Sequence, residues 1–326
     1  MNDISTEAKK ILEAIKLYGP IRSTELIKMF RFSSKTIHKH LLRLFDEQLI
    51  KKIGVTPKVF YIVNTDVDHD FGYVGKDEQI IEQNYIYVSP NGEMFRGIHG
   101  FWLWCEKNKF DFLKEKKTFI QKFKLIQKLK KNGLISAKKI ILSGKNNLYL
   151  DNIFFSDFYN IAHFGKTKLG QLVYLGKSSQ NKILVMEIAR LVKPAIRNIL
   201  EKYEIKLICF IPPTIDRQIQ FLDVFKKSLK LNLAEIIASK IPSFTKVAQK
   251  TLRNLEDRII NAQKTIAVNP NQKIDGNILI IDDATGSGAT LNETAKKIRN
   301  ISKENIKIIG YSVIGSFKGF DVISEV

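Results

Sequence analysis

Residues 278–290 read ILIIDDATGSGAT: four apolar residues run directly into two aspartates, then into a loop of small, hydroxylated and glycine residues. An unbroken aliphatic run ahead of a turn is what a strand buried on both faces of a parallel sheet requires. The sequence on either side agrees. IKLICFIPP (205–213) reads as another buried strand and IKIIGYSVIG (306–315) as a third, while LAEIIAS (233–239) reads as a short strand with its turn. Helical patterns fall between them over ILVMEIARLVKPAIRNIL (183–200), FLDVFKKSLKL (221–231), residues 246–264 and LNETAKKIRNI (291–301). Strand and helix alternating from about residue 150 imply a parallel sheet flanked by helices, whose ligands bind beyond the carboxyl ends of the strands.

In such a sheet Asn277 to Ile281 form the strand, and Asp282 and Asp283 stand at its carboxyl end. The loop Thr285, Gly286, Ser287, Gly288, Ala289 and Thr290 then leads into a helix. Its two glycines permit backbone angles closed to other residues, so successive amides can converge on an anion at the helix amino end. Ser287 and Thr290 add hydroxyl donors. Such a loop suits a phosphate monoester, and two adjacent carboxylates suit sugar hydroxyls or a positive charge developing on the sugar. A buried strand can end in Asp-Asp for other reasons, and a glycine-rich turn alone is a weak signal. The joint pattern of strand, acids, spacers, Ser-Gly-x-Thr and helix is the specific one.

This segment resembles the phosphoribosyl-pyrophosphate (PRPP) signature of type I phosphoribosyltransferases, with Ser287, Gly288, Ala289 and Thr290 matching the end of its loop and Gly286 departing from the commoner threonine. The resemblance implies that Asp282 and Asp283 face the ribose hydroxyls at the catalytic centre and that residues 285–290 hold the 5-phosphate. Upstream, ICFIPPTIDRQIQF and FTKVAQKTLRNLEDRIINAQ resemble the ComF competence-associated subgroup, which points to Pro213 and Arg217 on the pyrophosphate side and to Gln249, Arg258 and Asn261 in support. Where that subgroup carries Arg-Gly-Phe-Asn-Gln, this chain has Arg217, Gln218, Ile219, Gln220 and Phe221. Mg²⁺ is the implied cofactor, held mainly by the substrate's diphosphate and hydroxyls.

Residues 1–65 read as three helices and a hairpin wing, a winged helix-turn-helix. Ala8, Ile11, Leu12, Ile15 and Tyr18 form the first apolar stripe, Ser23 is the expected cap of the second helix, and Ser33-Ser34 cap a third carrying Ile37, Leu41, Leu44 and Phe45. Ser34, Lys35, Thr36, His38 and Lys39 then face outward, and the wing adds Lys51, Lys52 and Lys58, so DNA is an expected partner. These residues hold 12 Lys/Arg against 6 Asp/Glu, which suits phosphate contacts. A protein-docking or dimer module is the alternative, and a homodimer fits paired half-sites. His38 and His40 face different ways, which argues against a metal site.

Residues 66–75 read as an acidic linker. Residues 76–150 read as a small α+β segment of unassigned role, in which Phe101, Trp102 and Trp104 pack a small core or form a platform for bases. From Glu106 to Lys139 there are 12 lysines against 3 acids, either a solvated helix face or a nucleic-acid contact. The fold class expected is therefore α/β, with a phosphoribosyltransferase-like domain over 151–326.

A net charge of +20 favours polyanions, phosphorylated small molecules or anionic surfaces as partners. Two cysteines, Cys105 and Cys209, are too few for a disulfide scaffold and fit a reduced cytoplasm. No apolar run approaches the ~20 residues that span a bilayer, so a soluble cytoplasmic protein is expected. Three functions remain open: a phosphoribosyltransferase tied to DNA, a PRPP-sensing transcription regulator without chemistry, and a DNA-uptake factor.

Overall fold

A computed structural model describes residues 4–64, 75–138, 147–241, 252, 254–302 and 305–315. The chain divides into two compact units, Met1–Gly72 and Tyr73–Val326.

The first unit has helices α1 (Thr6–Tyr18), α2 (Ser23–Phe30) and α3 (Ser34–Asp46), followed by an antiparallel hairpin of β1 (Ile50–Val55) and β2 (Lys58–Val63). Its core gathers Ala8, Ile11, Ile15, Leu26, Ile37, Leu41, Leu44, Ile50 and Tyr61. Two stripe assignments differ from expectation: Tyr18 and Phe45 are exposed. Phe45 sits at the last turn of α3, where Lys52 Nζ lies 4.9 Å over its ring, so a cation rather than the core receives it. Ser33 caps α3 by accepting from Thr36 N at 3.1 Å, as its sequence implies. Ser23, by contrast, is the first residue of α2. The capping position is Arg22, whose backbone N–H donates to Glu25 Oε2 at 2.8 Å.

The second unit is mixed α/β around one six-stranded sheet in the order β5 (Ile135–Ser136), β6 (Asn152–Phe158), β12 (Ile308–Gly315), β11 (Asn277–Thr285), β7 (Ile205–Phe210) and β8 (Ala234–Glu235). Only β5 runs antiparallel to its neighbour. Helices α7 (Lys168–Ser178) and α8 (Lys182–Lys202) connect β6 to β7, α9 (Phe221–Leu229) connects β7 to β8, and α11 (Ala289–Ile301) connects β11 to β12. The helix expected over 246–264 begins later among the described residues, as α10 (Leu255–Thr265), with Asn254 Oδ1 accepting from Asp257 N at 2.7 Å as its cap. Residues 246–251 lie outside the described ones. Between β8 and α11 a separate antiparallel pair forms from β9 (Ala238–Lys240) and β10 (Ile266–Val268).

Ile278 to Ile281 are wholly buried between helix layers. Each such side chain contributes about 1.5–3 kcal/mol relative to exposure, which fixes β11 at the centre of the sheet. From β7 the chain moves outward to β8, and from β11 it moves outward the opposite way to β12. The neighbouring carboxyl ends of β7 and β11 therefore flank the point where the winding reverses, the place where open α/β sheets hold ligands.

Residues 75–138 join this unit through β5 and through α4 (Glu78–Asn84), α5 (Gly97–Asn108) and α6 (Phe112–Leu129), with the short pair β3 (Ile86–Val88) and β4 (Met94–Arg96). Phe101 is fully buried, with ring centroids 5.0 Å from Tyr85, 5.4 Å from Phe119 and 5.9 Å from Phe164. Phe119, Phe123 and Ile126 of α6 are buried as their spacing implies, whereas Leu129 at its end is exposed.

Close packing sets the sign of one substitution. A Cβ on Gly170, inside α7, would stand 2.2 Å from the Tyr159 carbonyl oxygen. Replacing a glycine in the middle of a helix by alanine ordinarily stabilises by about 0.5–1 kcal/mol, and Gly170 stands in the first turn. Gly170→Ala is expected instead to destabilise by roughly 1–3 kcal/mol, read as a lower denaturation midpoint in urea; a raised midpoint would show that the helix can shift away from the carbonyl.

Candidate functional site

The strand β11 runs four residues further than expected, through the two aspartates to Thr285. Beyond Ile281 it pairs on one side only. Asp282, Ala284 and Thr285 remain in register with Ser312, Ile314 and Gly315 of β12, while pairing with β7 stops at Ile281 and Phe210. One more bond follows, Ile211 N to Ile281 O at 2.9 Å. Pro212 and Pro213 then carry no N–H and cannot extend the ladder. The β7 chain turns away, and the overhanging end of β11 borders a cavity of about 400 Å³.

Asp282, Asp283 and all six loop residues from Thr285 to Thr290 line this cavity, as do Pro213 and Arg217. Gly288 takes φ +74°, the left-handed region that a glycine adopts without strain, and ends the loop as the residue before α11. No side chain caps α11 in the usual way, and Ala289 N reaches Ser287 Oγ only at 3.4 Å. First-turn amides without strong acceptors, at the positive end of a 13-residue helix, are suited to an anion. Thr285 is 5% exposed, and its Oγ1 has no hydrogen-bond partner among the described residues. A buried hydroxyl without a partner is unfavourable by about 1–3 kcal/mol, and a ligand oxygen would relieve it.

Two lysines meet the two acids. Lys177 Nζ, from the last turn of α7, lies 2.9 Å from Asp283 Oδ2 with both side chains mostly buried. Lys240, on β9, lines the cavity; burial lowers its pKa while the attraction of Asp282 raises it. Burial and the adjacent Asp283 charge push Asp282 up to about 8, against the Asp283 backbone N–H that donates to its Oδ1 at 2.8 Å and the two lysines. Sequence spacing did not single out either lysine. Lys177 ends an amphipathic helix and Lys240 follows a short strand, so each looks like an ordinary surface lysine until the topology turns it toward the acids.

Arg217 Nη1 donates to the Lys177 carbonyl at 3.2 Å, and Ile219 N donates to Gln180 Oε1 at 2.8 Å. The loop after β7 is thus fastened to the end of α7 that carries Lys177. Arg258 is 4% exposed, lines the cavity, and donates from Nε to the Leu252 carbonyl at 2.9 Å. Asn261 is not among the cavity residues; its carbonyl accepts from Thr265 Oγ1 at 2.6 Å. Gln249 lies outside the described residues.

In the first unit, Ser34, Lys35, His38 and Lys39 are exposed along α3 and Thr36 partly so, with His38 Nδ1 donating to the Ser34 carbonyl at 2.8 Å. Lys52 and Lys58 are exposed on the hairpin and Lys51 is half-buried. Among the described residues no group of three or more His, Cys, Asp or Glu side chains is placed to hold a metal, and no helix is long and apolar enough to cross a membrane.

No family model and no curated protein matches this chain. Among solved structures it is similar to a hypoxanthine-guanine phosphoribosyltransferase from Bacillus anthracis, at 14% identity and a TM-score of 0.23, over 40% of this chain and 66% of that one. The chain thus spans just under two thirds of that protein's length. The chemistry of the site has to come from this chain's own residues.

The raised Asp282 pKa has a stability consequence whose sign is fixed. The folded chain holds a proton there that the unfolded chain releases near pH 4, so this group's contribution to stability falls as pH rises from about 4 to 8 and is lowest above 8. Asp282→Asn is expected to raise the melting temperature at pH 8 by about 2–4 °C, with the gain vanishing toward pH 4. A variant that melts lower than the parent at pH 8 would show that the carboxylate is satisfied where it stands.

Proposed function

We propose that the second unit binds PRPP and transfers its phosphoribosyl group with release of pyrophosphate. The observation that carries this reading is the convergence of an acid pair and a helix-opening Thr-Gly-Ser-Gly-Ala-Thr loop on one cavity at the reversal point of the sheet. The loop amides, the Ser287 and Thr290 hydroxyls and the unpartnered Thr285 hydroxyl hold the 5-phosphate. Asp282 and Asp283 face the ribose. Loosening of the C1 bond leaves positive charge on the sugar, which a carboxylate pair stabilises more in the transition state than in the ground state. Burial and the adjacent Asp283 raise the Asp282 pKa in the free site, and a positive charge beside it lowers that pKa again. Arg217 and Lys177 lie where the departing pyrophosphate needs cations. The donor set fits Mg²⁺ brought in on the diphosphate, with the acid pair beside it, better than a resident ion. The ion's contribution when bound is to neutralise the leaving group.

A PRPP sensor without chemistry is the second reading. What favours it is a cavity lining without histidine among the described residues, so no imidazole is placed to take a proton from an acceptor.

We infer for the first unit a winged helix that binds DNA, from the exposed Lys35 and Lys39 on its third helix and the exposed Lys52 and Lys58 on its hairpin. On this reading the cellular output of the PRPP site is coupled to DNA, and pairing of two chains on adjacent half-sites follows naturally.

Calorimetric titration with PRPP and Mg²⁺ tests the first proposal. Asp282→Asn and Asp283→Asn are each expected to weaken binding at least 10-fold with the fold retained; unchanged affinity removes the acids from the site. Pyrophosphate release in the same samples, against a panel of bases and amines, separates enzyme from sensor. For the DNA reading, Lys35→Ala with Lys39→Ala should reduce the slope of log affinity against log salt by about 2, since each phosphate contact contributes roughly 0.9. A slope equal to the parent's would place these lysines away from phosphate.

A further inference from the structure

Two adjacent carboxylates at an open strand end are oxygen donors of the kind a hard divalent cation takes, and Asp282 and Asp283 both line the larger cavity. Among the described residues no group of three or more acids, histidines or cysteines is placed to hold a metal, so a divalent cation here needs further oxygens from a ligand or from water. The positive charge already in place belongs to the protein. Lys177 Nζ lies 2.9 Å from Asp283 Oδ2, with the two side chains 15% and 19% exposed. The same ammonium attracts Asp282, as does Lys240. An internal cation thus neutralises the acids that a cation from outside would otherwise meet.

The backbone of this lysine is fastened, whereas its side chain is a flexible four-carbon stem with a rotatable ammonium. The Lys177 carbonyl, in the last turn of α7, accepts from Arg217 Nη1 at 3.2 Å. Three residues further on, Gln180 Oε1 accepts from Ile219 N at 2.8 Å. Arg217 lines the cavity beside the backbone of Lys177, so an anion drawn to the guanidinium competes with Asp283 for the ammonium.

The two attractions exclude each other. While Lys177 stays on Asp283, a divalent cation at the acid pair meets an ammonium in its way, and an anion at Arg217 lacks a second cation. A free divalent cation would displace the lysine without giving it a new partner. A free diphosphate would take the lysine and leave Asp283 without one. Either leaves a mostly buried charge unpaired, which is unfavourable. A diphosphate carrying a divalent cation supplies both partners at once.

We propose that Lys177 is an exchangeable counter-ion, which closes the acid pair to free divalent cations and passes from Asp283 to the diphosphate of a ligand that brings its own cation. This rests on the PRPP reading of the larger cavity and adds a selection rule to it. Diphosphate and divalent cation strengthen each other's binding by the same factor, because each provides the partner that the other displaces.

The test uses the full chain with two separate probes: Mn²⁺ alone, followed by paramagnetic resonance, and inorganic pyrophosphate alone, titrated calorimetrically without metal. Lys177→Met keeps the length of the stem and removes its charge. It is expected to bind Mn²⁺ about 10-fold more tightly than the parent and pyrophosphate about 10-fold more weakly. Asp283→Asn breaks the pair from the other side and is expected to do the reverse, with pyrophosphate tighter and Mn²⁺ weaker. An ion pair that only holds the fold together gives losses of one sign for both probes, or no change; that result in either folded variant overturns the proposal. Each variant decides the matter by itself if the other does not fold. Titration of the parent with PRPP and Mg²⁺ keeps the two readings apart. Opposite shifts without PRPP binding retain the exchange and remove the sugar ligand, whereas PRPP binding with shifts of one sign, or none, removes the exchange alone.

Discussion

Two consecutive prolines free one edge of the central strand's carboxyl end. The ladder between β7 and β11 proceeds until the β7 chain runs out of N–H groups at Pro212 and Pro213. Everything beyond Ile281 on that side of β11 is then without a strand neighbour, while the other side stays locked to β12 through Thr285. A strand end held on one edge and open on the other is rigid enough to position carboxylates and bare enough to admit a ligand. The four isoleucine and leucine side chains behind it, all fully buried, supply the anchoring that such an overhang needs.

That anchoring also explains how the site tolerates its charge. Two adjacent aspartates at a half-covered strand end repel each other, and the structure sets one lysine against each. Lys177 forms a close ion pair with Asp283, and Lys240 acts on Asp282 at longer range, too weakly to overcome burial. The outcome is unequal carboxyls from a repeated residue: Asp283 stands against a lysine at 2.9 Å, and Asp282 has its pKa raised by burial and by its neighbour. Their difference comes from environment alone, as perturbed acids at functional sites generally do. Stability is sacrificed locally at Asp282 and at the Thr285 hydroxyl, both within the same cavity, and the burial of β11 offsets it.

The parts of this arrangement that depend on periodicity were legible in the sequence. ILII and IKLICF announce buried strands because alternation is absent, and the acids followed by a glycine loop announce a strand-to-helix turn. The strand boundary was not legible: nothing in DDAT marks continued pairing with β12, since the partner Ser312 to Gly315 is set by the sheet and not by local preference. The strand β6 and helix α7 were not singled out, and with them Lys177, because a lysine at a helix end is the commonest of surface residues. Tyr18 and Phe45 misled in the opposite sense, apolar residues at correct helical spacing but at helix ends where the core no longer reaches.

The basic stretch after residue 106 shows how much of a high net charge the fold itself consumes. Lys116 pairs with Glu78, Lys124 with Asp77 and Lys130 with Asp157, each at 2.8–2.9 Å. Lys130 and Asp157 are mostly buried, and that bridge joins the end of α6 to the sheet. Breaking such a pair leaves a buried carboxylate whose pKa is already raised by burial, so the lysine is needed for the fold whatever else it meets. The exposed pair of Lys124 with Asp77 contributes little by comparison. A charge excess read from composition therefore overstates what is free to attract a polyanion.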